Sequence, residues 1–315
     1  MTDRTRRAPG ADALLAEILR GTQGALYGRD AVGGSVNMVS AKPVFKREGS
    51  LKAGYAFDTD AKTLQAVINE PINDYVAVRL GADYVDQDKG FFYNPNNRVY
   101  FDQSHGLGLR AQLRVSKGPL DATWLSENQV ATIPAVAFRV YIRAGATAQF
   151  PVAYVQPEYR YPWNFAPLAK QNVTSHIFSV DYDLGFATLS STSAYRQRKS
   201  SFAFDQDGID PVELAALNAV GDNKGADVFL AARNADNTFT LSQDVHLTGH
   251  KTGRFSWLLG MEVFDQRTKY LITTGRTPSA ANGQSPGLET VGRQSFKSVA
   301  GYGSAGVDVT QALNV

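Results

Sequence analysis

Cysteine is absent from all 315 residues, which excludes disulfides, thiol nucleophiles and thiolate metal sites and leaves every compartment open. Long apolar runs are absent too. Nothing approaches the roughly 20 residues of a membrane-spanning helix, so a place in a membrane would require a β-barrel. Neither sign of charge dominates, with 32 Lys+Arg against 30 Asp+Glu and a net charge of +2, and no nucleic-acid partner is expected. Arg4, Arg6 and Arg7 make a basic start, but Asp12 and Glu17 interrupt the next stretch, so residues 11–19 offer no signal-peptide apolar region.

Histidine is scarce as well. Of the four, His246 and His250 are the close pair, and on a strand rising ~3.3 Å per residue they would stand ~13 Å apart, too far to share a metal. No G-x-S-x-G elbow and no ordered serine, histidine and carboxylate set is legible, so neither an enzyme nor a resident metal or cofactor is expected. Gly301, Gly303 and Gly306 fit a dinucleotide expression, yet they lie inside an alternating stretch, where small residues easing barrel curvature are the better account.

What the chain does have, with 28 Gly, 17 Phe and 14 Tyr, is a period of two. Val76, Val78, Leu80, Ala82 and Tyr84 alternate with Ala77, Arg79, Gly81 and Asp83; Phe178, Val180, Tyr182 and Leu184 alternate with Ser179, Asp181 and Asp183. Phe239, Leu241, Val245 and Leu247 continue the pattern, broken once by Gln243. Ten strands are expected, near 49–57, 62–70, 75–86, 105–116, 119–129, 174–184, 186–199, 238–249, 253–274 and 294–309.

A soluble antiparallel protein with one solvated face would alternate in the same way. The connections separate the two cases. After a short first loop, tight turns at 71–74, 116–119, 184–186 and 250–253 alternate with long loops at 87–104, 130–173, 200–237 and 275–293. Tight turns at one end and long loops at the other are the pattern of an outer-membrane barrel.

Residues 19–43 read LRGTQGALYGRDAVGGSVNMVSAKP, a chain of glycine-permitted turns leading into a short alternating strand at 35–39. No G-K-S/T comes after it, so a phosphate-binding loop is not expected. The segment resembles the closing motif of the plug domain in TonB-dependent outer-membrane receptors, R-G-P-x-G-x-L-Y-G followed by G-G and an I-N-I-like strand. Arg20, Gly21, Gly24, Leu26, Tyr27, Gly28, Gly33, Gly34 and Asn37 match it, while Thr22 replaces the proline and Val36 and Met38 flank Asn37. Segments at 180–189, 242–247 and 259–265 are also similar to barrel strands of that family, so the resemblance covers about residues 16–310.

The resemblance implies an all-β fold: a partial antiparallel transmembrane barrel of about ten strands over 44–315, the end of a plug over 16–43, and a poorly defined segment at 1–15. It implies a fragment, because a whole plug is much longer and the family's barrels have about 22 strands. An open sheet would leave unpaired edges in lipid, so the wall is expected to close or to be completed by something else. It further implies the bacterial outer membrane, contact with its lipid, energising by TonB, and an extracellular nutrient ligand, foremost a ferric siderophore. Cobalamin, haem, a nickel complex and an oligosaccharide stay open. So do a non-functional remnant or passive plugless barrel, and a soluble carbohydrate-binding β-protein.

Two sets of residues are candidates for plug contact and ligand binding. Asp244 and Glu262 fall on the inward faces of neighbouring strands, where they could hold plug arginines such as Arg20 and Arg29, or simply meet lumen water. In the outer loops, Phe92, Tyr93, Arg139, Tyr141, Arg143, Tyr159, Arg160 and Trp163 mix aromatics with arginine, suiting a bulky anionic or aromatic ligand, although some would serve as an interfacial girdle. Asp205, Asp207, Asp210 and Glu213 partly match a calcium loop but not its helix-loop-helix spacing.

Overall fold

The computed structural model describes residues 13–20, 34–133, 141–142, 154–155, 159–161, 163, 168–205, 230–250, 254–276, 288–310 and 313–314. Every regular element among them is a strand. β1 (Ala13–Arg20) and β2 (Gly34–Ser40) form an antiparallel hairpin of their own. β3 (Glu48–Ala56), β4 (Ala61–Asn73) and β5 (Val76–Gln87) open the main sheet. The next loop holds the two-residue strands β6 (Tyr93–Asn94) and β7 (Val99–Tyr100), and β8 (Ser104–Lys117) and β9 (Leu120–Ile133) return to the sheet. After β10 (Tyr141–Ile142) and β11 (Tyr154–Val155) come the long strands β12 (Leu168–Asp183), β13 (Ala187–Asp205), β14 (Leu230–Gly249), β15 (Phe255–Arg276) and β16 (Leu288–Thr310), then β17 (Leu313–Asn314). The main sheet runs β17-β16-β15-β14-β13-β12-β9-β8-β5-β4-β3, each strand antiparallel beside its predecessor in the sheet.

All ten expected strands are present, and the turns explain why they start and stop where they do. Asn73 Oδ1 accepts from the N–H groups of Tyr75 and Val76, both at 2.9 Å, and closes the β4–β5 turn. Gly118 and Gly185 supply positive φ of 58° and 86° in the β8–β9 and β12–β13 turns, and Asp183 Oδ1 accepts from Gly185 N–H at 2.7 Å.

The register sorts the two faces. One row across the sheet reads Val78, Leu113, Trp124, Phe178, Ser193, Gln243, Val263 and Val299; the adjacent row reads Ala77, Arg114, Thr123, Ser179, Thr192, Asp244, Glu262 and Ala300. The first row is apolar except at Ser193 and Gln243, and these satisfy each other: Ser193 Oγ donates to Gln243 Oε1, while Gln243 Nε2 donates to Ser191 Oγ at 2.9 Å. Such pairing is what a polar group on an apolar face requires.

No second layer covers the apolar face among the described residues. Leu51 and Val299 are each 72% exposed, and Ile68 and Leu259 are 60% and 62% exposed. A contiguous surface of this kind is matched to lipid rather than water.

The long strands exceed expectation at the loop end. β12 begins six residues before the expected 174, and β14 begins eight before the expected 238. Polar pairs such as Asn172 with Lys199 and Ser200 with Asp236 carry the ladder there, so alternation gives no sign of it. Since ~9–11 residues suffice to cross a bilayer, strands of 16 to 23 residues are longer than a membrane-spanning wall requires. β1 is a further strand beyond the ten expected, together with the short pairs in the loops.

Candidate functional site

Three groups of side chains could do chemistry or recognition. The first ties residues 41–46, the link from the β1–β2 hairpin to the wall, onto the polar face. Asn69 on β4, wholly buried, accepts from Val44 N–H at 3.0 Å and donates to the carbonyls of Val44 and Lys46, both at 2.7 Å. Gln112 on β8, 3% exposed, donates to Ala41 O at 3.0 Å. Arg114 donates to Pro43 O at 3.1 Å, lies 5.4 Å from the Phe45 ring centre, and forks onto Asp121 at 2.8 and 2.9 Å. One guanidinium thus binds linker, ring and carboxylate together. Sequence reasoning misses Asn69 and Gln112 because a lone amide on a polar strand face looks like any solvated residue.

The second group surrounds Asp244 and Glu262. The structure places them directly opposite each other on β14 and β15, on the polar face of the sheet. Asp244 is already engaged: the Tyr302 hydroxyl donates to one carboxylate oxygen at 2.5 Å, and His246 Nδ1 lies 2.7 Å from the other. Tyr302 reaches it by lying across Gly260, its direct neighbour on β15. Glu262 has no cation within ion-pair distance among the described residues. Arginines are paired along the sheet, Arg110 with Glu127, Arg114 with Asp121 and Arg198 with Asp236, whereas Asp181, Asp244 and Glu262 on β12 to β15 have no arginine or lysine partner among the described residues.

The third group lies in the outer loops. Tyr93 N–H donates to Tyr159 O at 3.0 Å and Tyr161 N–H to Tyr93 O at 2.9 Å, so two loops distant in sequence share a short ladder. Phe101, Tyr161 and Trp163 form a buried aromatic cluster with Phe92 against it. Asn94, itself buried, caps it by donating to Trp163 O at 3.0 Å. The structure therefore brings Phe92, Tyr93, Tyr159, Arg160 and Trp163 together, but divides their roles. Trp163, at 0% exposure, has no face for a ligand and holds the loops together; Tyr159, 54% exposed and held at φ 60°, stacks beside Phe92, and Arg160 is exposed. Tyr159 shares this left-handed conformation with Asp60 and Arg98, which likewise sit outside the strands.

Several expected residues lie outside the described ones: Gly21, Gly24, Leu26, Tyr27, Gly28, Arg29, Gly33, Arg139, Arg143 and the acidic stretch after Asp205. Arg20, Gly34 and Asn37 lie on the paired hairpin, Arg20 opposite Gly34, and Tyr141 pairs with Val155. His246 and His250 keep separate company, His250 with Gly185 O at 2.9 Å, and Gly301, Gly303 and Gly306 pair along β15 as interior strand residues.

No protein-family model matches the sequence, and no curated protein does. Solved structures do. The ferripyoverdine receptor of the outer membrane of Pseudomonas aeruginosa superposes with a TM-score of 0.69 at 15% identity, covering 95% of this chain and 40% of its own. The ferric preacinetobactin receptor of Acinetobacter baumannii gives 0.62 at 12%, with 94% and 50% covered. The ferric yersiniabactin uptake receptor of Yersinia pestis gives 0.55 at 17%, with 95% and 50% covered. The chain thus spans half or less of the length of these receptors and has the fold of their barrel wall.

Proposed function

We propose that the chain is the plug-proximal part of a TonB-dependent outer-membrane receptor that takes up a bulky iron complex of the ferric siderophore class. The likeness of 95% of the chain to a ferripyoverdine receptor carries this reading. The lipid-suited apolar face, the tight turns at one end and the projecting loops at the other support it. In this reading residues 16–43 end the plug, the polar face lines the lumen, and TonB supplies the energy for opening. In the same reading Tyr159, Arg160 and Phe92 meet an anionic, aromatic-rich ligand by charge-assisted and cation-π contacts.

The lumen side of the proposal centres on Glu262. With Asp244 held by Tyr302 and His246, Glu262 opposite it is the carboxylate of this pair that receives a plug arginine, Arg20 or Arg29 being the candidates. Uptake of 55Fe-loaded pyoverdine, yersiniabactin and preacinetobactin by cells expressing the gene tests the function, with and without TonB. TonB-dependent accumulation of at least one is expected; equal accumulation in both strains would point instead to a passive barrel, and none to a remnant or a different ligand class. Glu262→Arg should raise leakage of large antibiotics if the plug contact exists.

A further inference from the structure

At the loop-side rim of the apolar face, Asp86 near the end of β5 stands opposite His105 near the start of β8, with His105 Nδ1 2.7 Å from Asp86 Oδ1. Asp88, two residues on, comes to the same side. One imidazole nitrogen and two carboxylate oxygens then lie within 4.8 Å of one another. The register itself creates this meeting, since residues directly across and diagonal by two are neighbours on one face of an antiparallel pair.

The backbone beneath is braced from several directions. Gln103 Nε2 donates to Asp88 O at 2.7 Å, Gln87 Nε2 to Lys89 O at 2.8 Å and to Asp102 O at 3.1 Å, and Lys89 N–H to Thr59 O at 3.2 Å. Asp102 in turn accepts from Phe91 N–H at 2.8 Å, which fixes the root of the loop that carries Phe92.

We infer that Asp86, Asp88 and His105 bind one divalent transition-metal cation, Zn2+ being the best fit. The donor set decides the class. Ca2+ and Mg2+ favour shells of oxygen alone, whereas zinc accepts imidazole nitrogen and carboxylate oxygen together at about 2.0–2.2 Å. The three donor atoms already lie within 4.8 Å of one another, and three protein ligands leave a position for water. Lys62 Nζ, 3.9 Å from Asp86 Oδ2, competes with the cation for that carboxylate and tempers its affinity. The bound ion joins the β5 and β8 rims and so stiffens the loop between them. The site does not depend on what the receptor transports.

Calorimetric titration of ZnCl2 into the purified full chain in detergent micelles tests it. One Zn2+ per chain is expected, with affinity weakened at least tenfold in His105→Ala and in Asp88→Asn, tightened in Lys62→Met, and unchanged in His250→Ala. Absence of saturable binding, or binding that His105→Ala and Asp88→Asn leave untouched, overturns the site. Asp88 lies in an exposed loop position, so its variant remains decisive should His105→Ala fail to fold.

Discussion

Asn69 and Val44 hold each other by a reciprocal pair of hydrogen bonds, Val44 N–H to Asn69 Oδ1 at 3.0 Å and Asn69 Nδ2 to Val44 O at 2.7 Å. An asparagine amide here mimics one rung of a β-ladder and fastens the linker to the wall without adding a strand. Its wholly buried position makes the contact hard to replace by water.

Asn69→Leu fills much the same space and strands the Val44 N–H together with the Val44 and Lys46 carbonyls, at a cost of about 1–3 kcal/mol for each group left without a partner. Trypsin should then cut faster at Lys46 or Arg47. Asn69→Asp keeps the acceptor alone and should fall between. Equal cutting rates in all three proteins would show that the linker is held elsewhere.

Tyr302 lies so close over Gly260 that a Cβ there would stand 2.4 Å from its ring, and Tyr270 covers Gly292 at 1.9 Å in the same sense. An aromatic ring laid over a cross-strand glycine protects its backbone and fills the missing side chain. Gly260→Val should lower the temperature at which the purified chain loses its β-sheet circular-dichroism signal, for a cost of about 1–3 kcal/mol. Adding Tyr302→Ala should recover part of that loss, because the two residues touch and their effects are coupled.

These pairings mark where the sequence stops being readable. Val78, Leu80 and Ala82 announce a strand and its apolar face because alternation is local. The tight turns announce the connectivity. Tyr302 over Gly260, Asn69 with Val44 and Asp86 with His105 arise from register between segments 42, 25 and 19 residues apart, and nothing local fixes register. Strand ends such as Lys170 to Asn172 are hidden for a related reason: consecutive polar residues carry no alternation. The outer loops are legible in residue type, since Tyr159, Arg160 and Trp163 stand out as a set, but not in burial, which separates the scaffold residue Trp163 from its exposed neighbours.

That separation is testable. Trp163→Ala removes a wholly buried ring that tilts against Phe101 with centroids 4.8 Å apart. The ladder between the two loops should open, read as faster hydrogen exchange at the Tyr93 and Tyr161 amides. Arg160→Ala, in an exposed position, should leave both amides protected.

The turn joining β3 to β4 carries a pH response of its own. Asp60, outside the strands and at φ 53°, accepts a hydrogen bond from the Tyr55 hydroxyl, and Lys89 Nζ lies 3.6 Å away. The Tyr55 bond first, then the charges of Lys89 and Lys62, holds its carboxyl below the usual carboxylate range, with desolvation opposing. A folded-state value below the unfolded one means that the contribution to stability is fully present above the unfolded value near about 4 and is lost as pH falls through the folded value. Proton-uptake signals of Asp60, followed by carboxylate NMR, should therefore begin below that range and move up toward it in Tyr55→Phe. A titration midpoint identical in the two proteins would mean that the hydroxyl does not hold the carboxylate. Because Lys89 N–H donates to Thr59 O beside this turn, its exchange should quicken in step with Asp60 protonation in the parent chain and at higher pH in the variant.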